Sequence, residues 1–176
     1  MPRRNHEAQI EARIDRLYEA APEAFVALRD ALAAELRRAG RREEAARVGS
    51  LRRPTLAAWA LNRAARERPD LVDALVEAGR QLMLAQRRML AGLSQHGLDE
   101  AVRRRREIAD ALAEMALGAL AHEGKAPEAY RAEVLETLRA ASLDEESAHL
   151  VALGRLVRGL EARAGFDSLG GPSVRG

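Results

Sequence analysis

The chain has 176 residues, of which 47% are hydrophobic, 32% charged and only 3% aromatic, with no cysteine and a formal net charge of +2. Lacking cysteine, it can form no disulfide, thiolate metal site or cysteine nucleophile. So small a net charge does not by itself mark a nucleic-acid binder, and no apolar stretch approaches the ~18 residues that a membrane span needs.

Alanine, leucine, arginine and glutamate, all good helix formers, dominate the sequence, and few stretches carry the β-branched and aromatic residues of strands. The expected fold class is therefore all-α, a multi-helix bundle of small residues that let helices approach closely. At this length one domain is expected, spanning 1–165, with a disordered tail over 166–176. MPRRNHEAQIEAR lacks the apolar run of a signal peptide, and the expected location is the cytoplasm.

Taken in order, Asn5 is positioned to cap a first helix running to about Ala20, with Ile10, Ile14 and Leu17 on one side. Pro22 opens a second helix with the stripe Phe25, Leu28, Leu32 and Leu36, and Gly40 is placed to end it in a left-handed conformation. A short basic helix over Arg41–Val48 leads through Gly49 into a central helix, Thr55–Glu67, with Pro54 in its first turn. Asp70 then caps a long helix to about Leu93. Val72, Leu75, Gly79, Leu82, Gln86, Met89 and Leu93 alternate spacings of three and four, the mark of a coiled-coil seam. The short link around Gly97 forces an antiparallel return from Asp99 to about His122, with Ile108, Leu112, Met115 and Ala119 at matching spacing. These two segments, about 70–93 and 99–122, predict a long αα-hairpin as the main strut. Pro127 starts a further helix lined by Tyr130, Val134, Leu138 and Ala141. Ser142 with Glu145 fits a capping box for a last one carrying Leu150 and Leu153. After Gly154 the residues Leu156, Val157 and Leu160 either continue that helix or dock as an extended strap.

The stretch GSLRRPTLAAWALNRAAR, Gly49–Arg66, holds the only tryptophan. At about 100° per residue, Leu56, Ala57, Ala60, Leu61 and Ala64 share one side of the central helix. Thr55, Trp59, Asn62, Arg63 and Arg66 share the other. An indole among guanidinium groups and an amide can stack on a base or serve a phosphate; in a helix covered on two sides the same ring belongs to the core. Both readings stand at this point. The block, with FVALRDALAAELRRAG before it and PDLV after it, resembles an uncharacterised family of all-helical proteins from high-GC actinobacteria that carries L-R-R-P-[ST]-x-A-A-W-A-x-N. The resemblance extends over roughly Phe25 to Leu156, with only the block itself specific. The family has no assigned activity, so the resemblance implies no catalytic or binding residue.

Charge is unevenly spread. Arg37–Arg68 contains ten basic and three acidic residues, and Arg37, Arg38, Arg41, Arg42, Arg52 and Arg53 have few acids at helical spacing. Together with Trp59, Asn62, Arg63 and Arg66 they form the candidate nucleic-acid-binding set, for DNA or RNA. The run Arg103–Arg106, by contrast, is flanked by Asp99, Glu100, Glu107 and Asp110 at i±4 and reads as a solvated helix face. AARVGSLRRPTLAAWALN has features of a helix-turn-helix, although its link from Gly49 to Pro54 is long for that motif and its second helix is mostly alanine. Glu146–His149 is a single E-x-x-H, half of a di-iron motif, and no second copy exists to complete it. No Walker loop, dinucleotide fingerprint, H-E-x-x-H or nucleophile elbow is present. The expectation is a non-enzymatic helical binding protein without metal or cofactor. Its partner is either a nucleic acid at the basic segment, or another protein or a second copy of itself at an Ala/Leu face.

Overall fold

The computed structural model describes residues 2–93 and 97–161, with side chains from Glu7 onward. The tail expected to be disordered lies outside the described residues. Among those residues the protein is all-helical: α1 (Pro2–Glu19), α2 (Pro22–Arg38), α3 (Arg42–Gly49), α4 (Leu56–Glu67), α5 (Pro69–Leu90), α6 (Leu98–His122), α7 (Arg131–Leu143) and α8 (Glu145–Leu153), with one 3-10 turn over Pro127–Ala129. No helix in this set is long and apolar enough to cross a membrane.

Local chemistry sets most boundaries. Pro22 and Pro69 stand in the first turns of α2 and α5, where a missing N–H costs nothing. Gly40, at φ +75°, ends α2 as expected: the Arg41 N–H reaches back to the Leu36 carbonyl and that of Gly40 to Arg37. Gly92 does the same for α5, which stops at Leu90 and leaves Leu93 outside the helix.

Several expected caps shift. Because α1 already runs from Pro2, Asn5 lies inside it. Thr55 caps α4, which starts at Leu56, its hydroxyl oxygen accepting the Ala58 N–H at 3.2 Å, and Pro54 is buried ahead of the helix instead of standing in its first turn. Asp70 pairs with Arg68 within the first turn of α5 instead of capping it. In place of the Ser142–Glu145 box, Asp144 caps α8, accepting from both the N–H and the hydroxyl of Ser147.

The apolar residues form two clusters. One, between α1, α2 and α3, holds Ile10, Ile14, Leu17, Tyr18, Phe25, Leu32, Leu36 and Val48. Leu28, expected in this stripe, is 45% exposed. The other joins α4 to α8 and includes Trp59, Leu61, Val72, Leu75, Leu112, Leu120, Val134, Leu138 and Val151. Leu150 and Leu153 point away from it, and Ala148 and Val151 are the buried residues of α8. The α5–α6 hairpin is present, but its seam is covered only near its base. Between Leu82 and Ile108, Ala101 alone is buried among the described residues, and Gln86 and Leu93 of the expected seam are exposed.

Two of the bundle's helices meet at a glycine. A Cβ on Gly79 of α5 would overlap the backbone carbonyl of Ser142 on α7, an atom that cannot swing aside. On an open helix surface, replacing glycine by alanine gains about 1 kcal/mol, and overpacking a close contact costs about 1–3 kcal/mol or more. Gly79→Ala is therefore expected to destabilise the protein, whereas Gly118→Ala, where a Cβ meets nothing within 4 Å, should stabilise it. Thermal unfolding of the two variants by circular dichroism checks the opposite signs.

Candidate functional site

The central block is enclosed. Eight of the twelve residues of α4 are buried, among them Trp59 at 1% exposure and Asn62 at 0%. What covers the polar side of this helix is the segment after α8. Gly154, at φ +62°, ends α8, and the chain then runs without helix across α4 and α7 as the strap. The Asn62 amide nitrogen donates to the Leu156 carbonyl at 2.9 Å, and its oxygen accepts the Leu156 N–H at 2.7 Å. One residue on, the Val157 carbonyl accepts the Thr55 N–H at 2.8 Å. Farther along, the Leu160 N–H donates to the Thr137 hydroxyl and that of Gly159 to Glu133. Asn62 is thus a latch for the backbone and Trp59 a core ring. These two residues are removed from the expected contact set, because a side chain without exposure offers nothing to a ligand.

Three arginines of the candidate set are also engaged. Arg66 bonds Asp15 of α1 at 3.1 Å, joining the same carboxylate that Arg155 of the strap bonds at 2.8 Å. Arg63 pairs with Glu67 and stands 6.0 Å from the centre of the Trp59 ring, a cation–π distance that closes the ring from solvent. Trp59 Nε1 finds no hydrogen-bond partner among the described residues. Arg41 is held by Glu44, a hydrogen bond that raises its pKa. Nearby, Arg13 binds Glu35 and thereby lowers the carboxyl's pKa, with smaller contributions from Arg38 and Arg41.

Arg37, Arg38, Arg42, Arg52 and Arg53 remain. All five are exposed, and none makes an ion pair among the described residues. Arg37 and Arg38 lie at the end of α2, Arg42 opens α3, and Arg52 and Arg53 lie on the link between α3 and α4. Arg29, which the sequence did not single out, pins that link by donating to the Leu51 carbonyl at 3.0 Å. A helix-turn-helix reading with α4 as the groove-reading helix is excluded, since only Arg63 and Glu67 of α4 are exposed and they pair with each other.

The distal half of the α5–α6 hairpin carries a different surface. Leu84, Leu90, Leu93 and Val102 are 51%, 81%, 76% and 41% exposed. Between the two helices on one side lies a groove of about 480 Å³, lined by Gln81, Leu84, Ala85 and Arg88 from α5 and by Glu100, Ala101 and Arg104 from α6, with Gly97 at its end. Periodicity pointed to these turns as seam, and nothing in the sequence said where the covering helix stops. The run Arg103–Arg106 is answered in part, as expected of a solvated face: Arg103 lies near Glu100 and Glu107, and Arg106 near Asp110. Arg105 instead reaches the Ser142 hydroxyl at 3.4 Å. No group of His, Asp and Glu suited to a metal ion occurs among the described residues, and His149 is exposed.

Neither a protein-family model, nor a curated protein, nor a solved structure matches the chain, so the site is read from its own geometry.

Asn62→Ala strands two buried backbone groups of Leu156, each worth about 1–3 kcal/mol, so a loss of about 3 kcal/mol is expected in denaturant unfolding. Native Trp59 fluorescence should be blue-shifted and indifferent to added DNA or RNA. An exposed-type emission, or an Asn62→Ala protein as stable as the parent, contradicts the enclosed latch.

Proposed function

We propose that the protein is a non-enzymatic helical interaction protein of the cytoplasm that engages another protein through the distal half of its α5–α6 hairpin. The observation that carries this reading is the bare stretch between Leu82 and Ile108, where apolar side chains stand exposed among arginines. Exposed leucines grouped on one element mark interaction surfaces more often than scattered ones do, and arginine is enriched in interfaces. A rigid two-helix projection is a natural platform for a partner helix. With Leu84 replaced by a photo-crosslinking amino acid, irradiation of living cells should yield a discrete protein adduct. The same residue at Arg16, exposed on α1, should not. No adduct from position 84, or one to nucleic acid alone, overturns the reading.

A second reading, favoured by the five exposed and unpaired arginines of the α2–α3 region, is sequence-independent contact with phosphates of DNA or RNA. It no longer includes Trp59, Asn62, Arg41, Arg63 or Arg66. Five phosphate contacts predict an affinity for duplex DNA that falls roughly a hundred- to a thousandfold between about 50 and about 200 mM salt. Arg52→Glu combined with Arg53→Glu should abolish most of that binding without changing thermal stability. Retention unaffected by salt or by the double substitution removes the nucleic-acid reading.

A further inference from the structure

We infer that the groove on the distal hairpin receives an acidic amphipathic helix of a partner protein, an inference that rests on the interaction-protein reading and names the partner's chemistry. Along α5, Gln81, Leu84, Ala85 and Arg88 follow the i, i+3, i+4, i+7 pattern of a single helix face, and Glu100, Ala101 and Arg104 share one face of α6, with Gly97 just ahead of that helix. Because the helices are antiparallel, Arg104 lies at the Gln81 end and Arg88 at the Gly97 end. An apolar floor of Leu84, Ala85 and Ala101 therefore has one arginine at each end. Seven residues at 1.5 Å each put those ends about 10 Å apart. Neither guanidinium has an ion pair among the described residues, while Glu100 is turned to Arg103.

A third helix laid along this groove buries an apolar residue on the floor, and carboxylates seven positions apart reach the two arginines. The complementary segment carries Asp or Glu at positions i and i+7, with Leu or another large apolar residue at i+3 or i+4. Charge decides against the other occupants. A second copy turning the same face inward opposes arginine with arginine, since residues 80–106 contain seven arginines and two acids. Nucleic acid brings phosphates onto an aliphatic floor without a ring for a base to stack on, beside the Glu100 carboxylate.

The probe is a fluorescein-labelled synthetic helix of about 18 residues carrying two overlapping copies of that acidic pattern, long enough to form a helix in isolation. Its twin has lysine in place of every glutamate. Titrated with the full-length protein, the acidic peptide should show saturable anisotropy with a dissociation constant on the order of micromolar, weakening with salt. The lysine peptide should bind at least about tenfold more weakly. Leu84→Asp should cost the acidic peptide roughly tenfold or more. Arg88→Glu with Arg104→Glu should reverse the preference, so that the lysine peptide binds better than the acidic one; all three residues are exposed, and unchanged circular dichroism confirms folding. Equal binding of both peptides, or no reversal in the double variant, overturns the inference. So does a dimer by light scattering that disappears with Leu84→Asp. A protein adduct from position 84 combined with no peptide preference leaves the interaction reading standing and sinks only the acidic helix. The absence of both sinks the two together.

Discussion

One buried amide sets the geometry of this molecule. Asn62 presents a donor and an acceptor side by side, which is what the N–H and C=O of a single extended residue require, and Leu156 supplies both. Aspartate lacks the donor, and leucine leaves two backbone groups stranded in an apolar setting. With that residue latched, the rest of the strap falls into place. Leu156 enters the larger core, Val157 packs against the smaller one, and Arg155 spans to Glu11 and Asp15 of α1. The two apolar clusters are thereby joined through a segment without regular structure, and its backbone polar groups are met by Asn62, Thr55, Thr137 and Glu133.

The latch also explains which features of the sequence were deceptive. Prolines 22 and 69, glycines 40 and 92 and the three-and-four spacing of leucines are local signals, and the helices they foretold are present. The strap itself was one of two readings after Gly154, left open because a short apolar run without caps fits either conformation. The side of α4 bearing Trp59 and Asn62 admits either a contact face or a covered core face, because a helical wheel records polarity, not cover. Its cover comes from a segment 94 positions later, and the acid that meets Arg66 lies 51 positions earlier. Side-chain reach across such separations leaves no periodic trace. Arg41 is another matter: Glu44 stands three residues on, a spacing visible in the sequence itself.

The cations divide accordingly into two kinds. Arg66 and Arg155 converge on Asp15, half-buried and drawn from three different elements, so removing Asp15 leaves Arg66 without an ion pair in a partly desolvated place, whereas Arg155 keeps Glu11. Pairs such as Arg68–Asp70 and Arg131–Glu128 are exposed, local and screened by salt, and such pairs contribute little to stability. Whatever the arginine-rich composition owes to function must come from the remainder, which lies around α2–α3 and along the distal hairpin.

That the hairpin has a bare half follows from helix lengths. α5 has 22 residues and α7 has 13, about 33 Å and 20 Å at 1.5 Å per residue. α7 starts beside the base of the hairpin, after α6 has ended, and runs up it until Ser142 meets Gly79 on one helix and Arg105 on the other. There Asp144 turns the chain into α8, which heads back toward α4 and the strap. Nothing further along the described chain covers the hairpin past Leu82, so about 12 Å of α5, from Leu82 to Leu90, and the facing turns of α6 are left without a third helix. A two-helix hairpin buries only the seam between its helices, and its outer apolar positions stay wet unless another element covers them. Solubility alone is served by polar residues at those positions. Leucine at 84, 90 and 93 with arginines at 87, 88 and 104 is instead the exposed composition on which the proposed docking of a third helix rests.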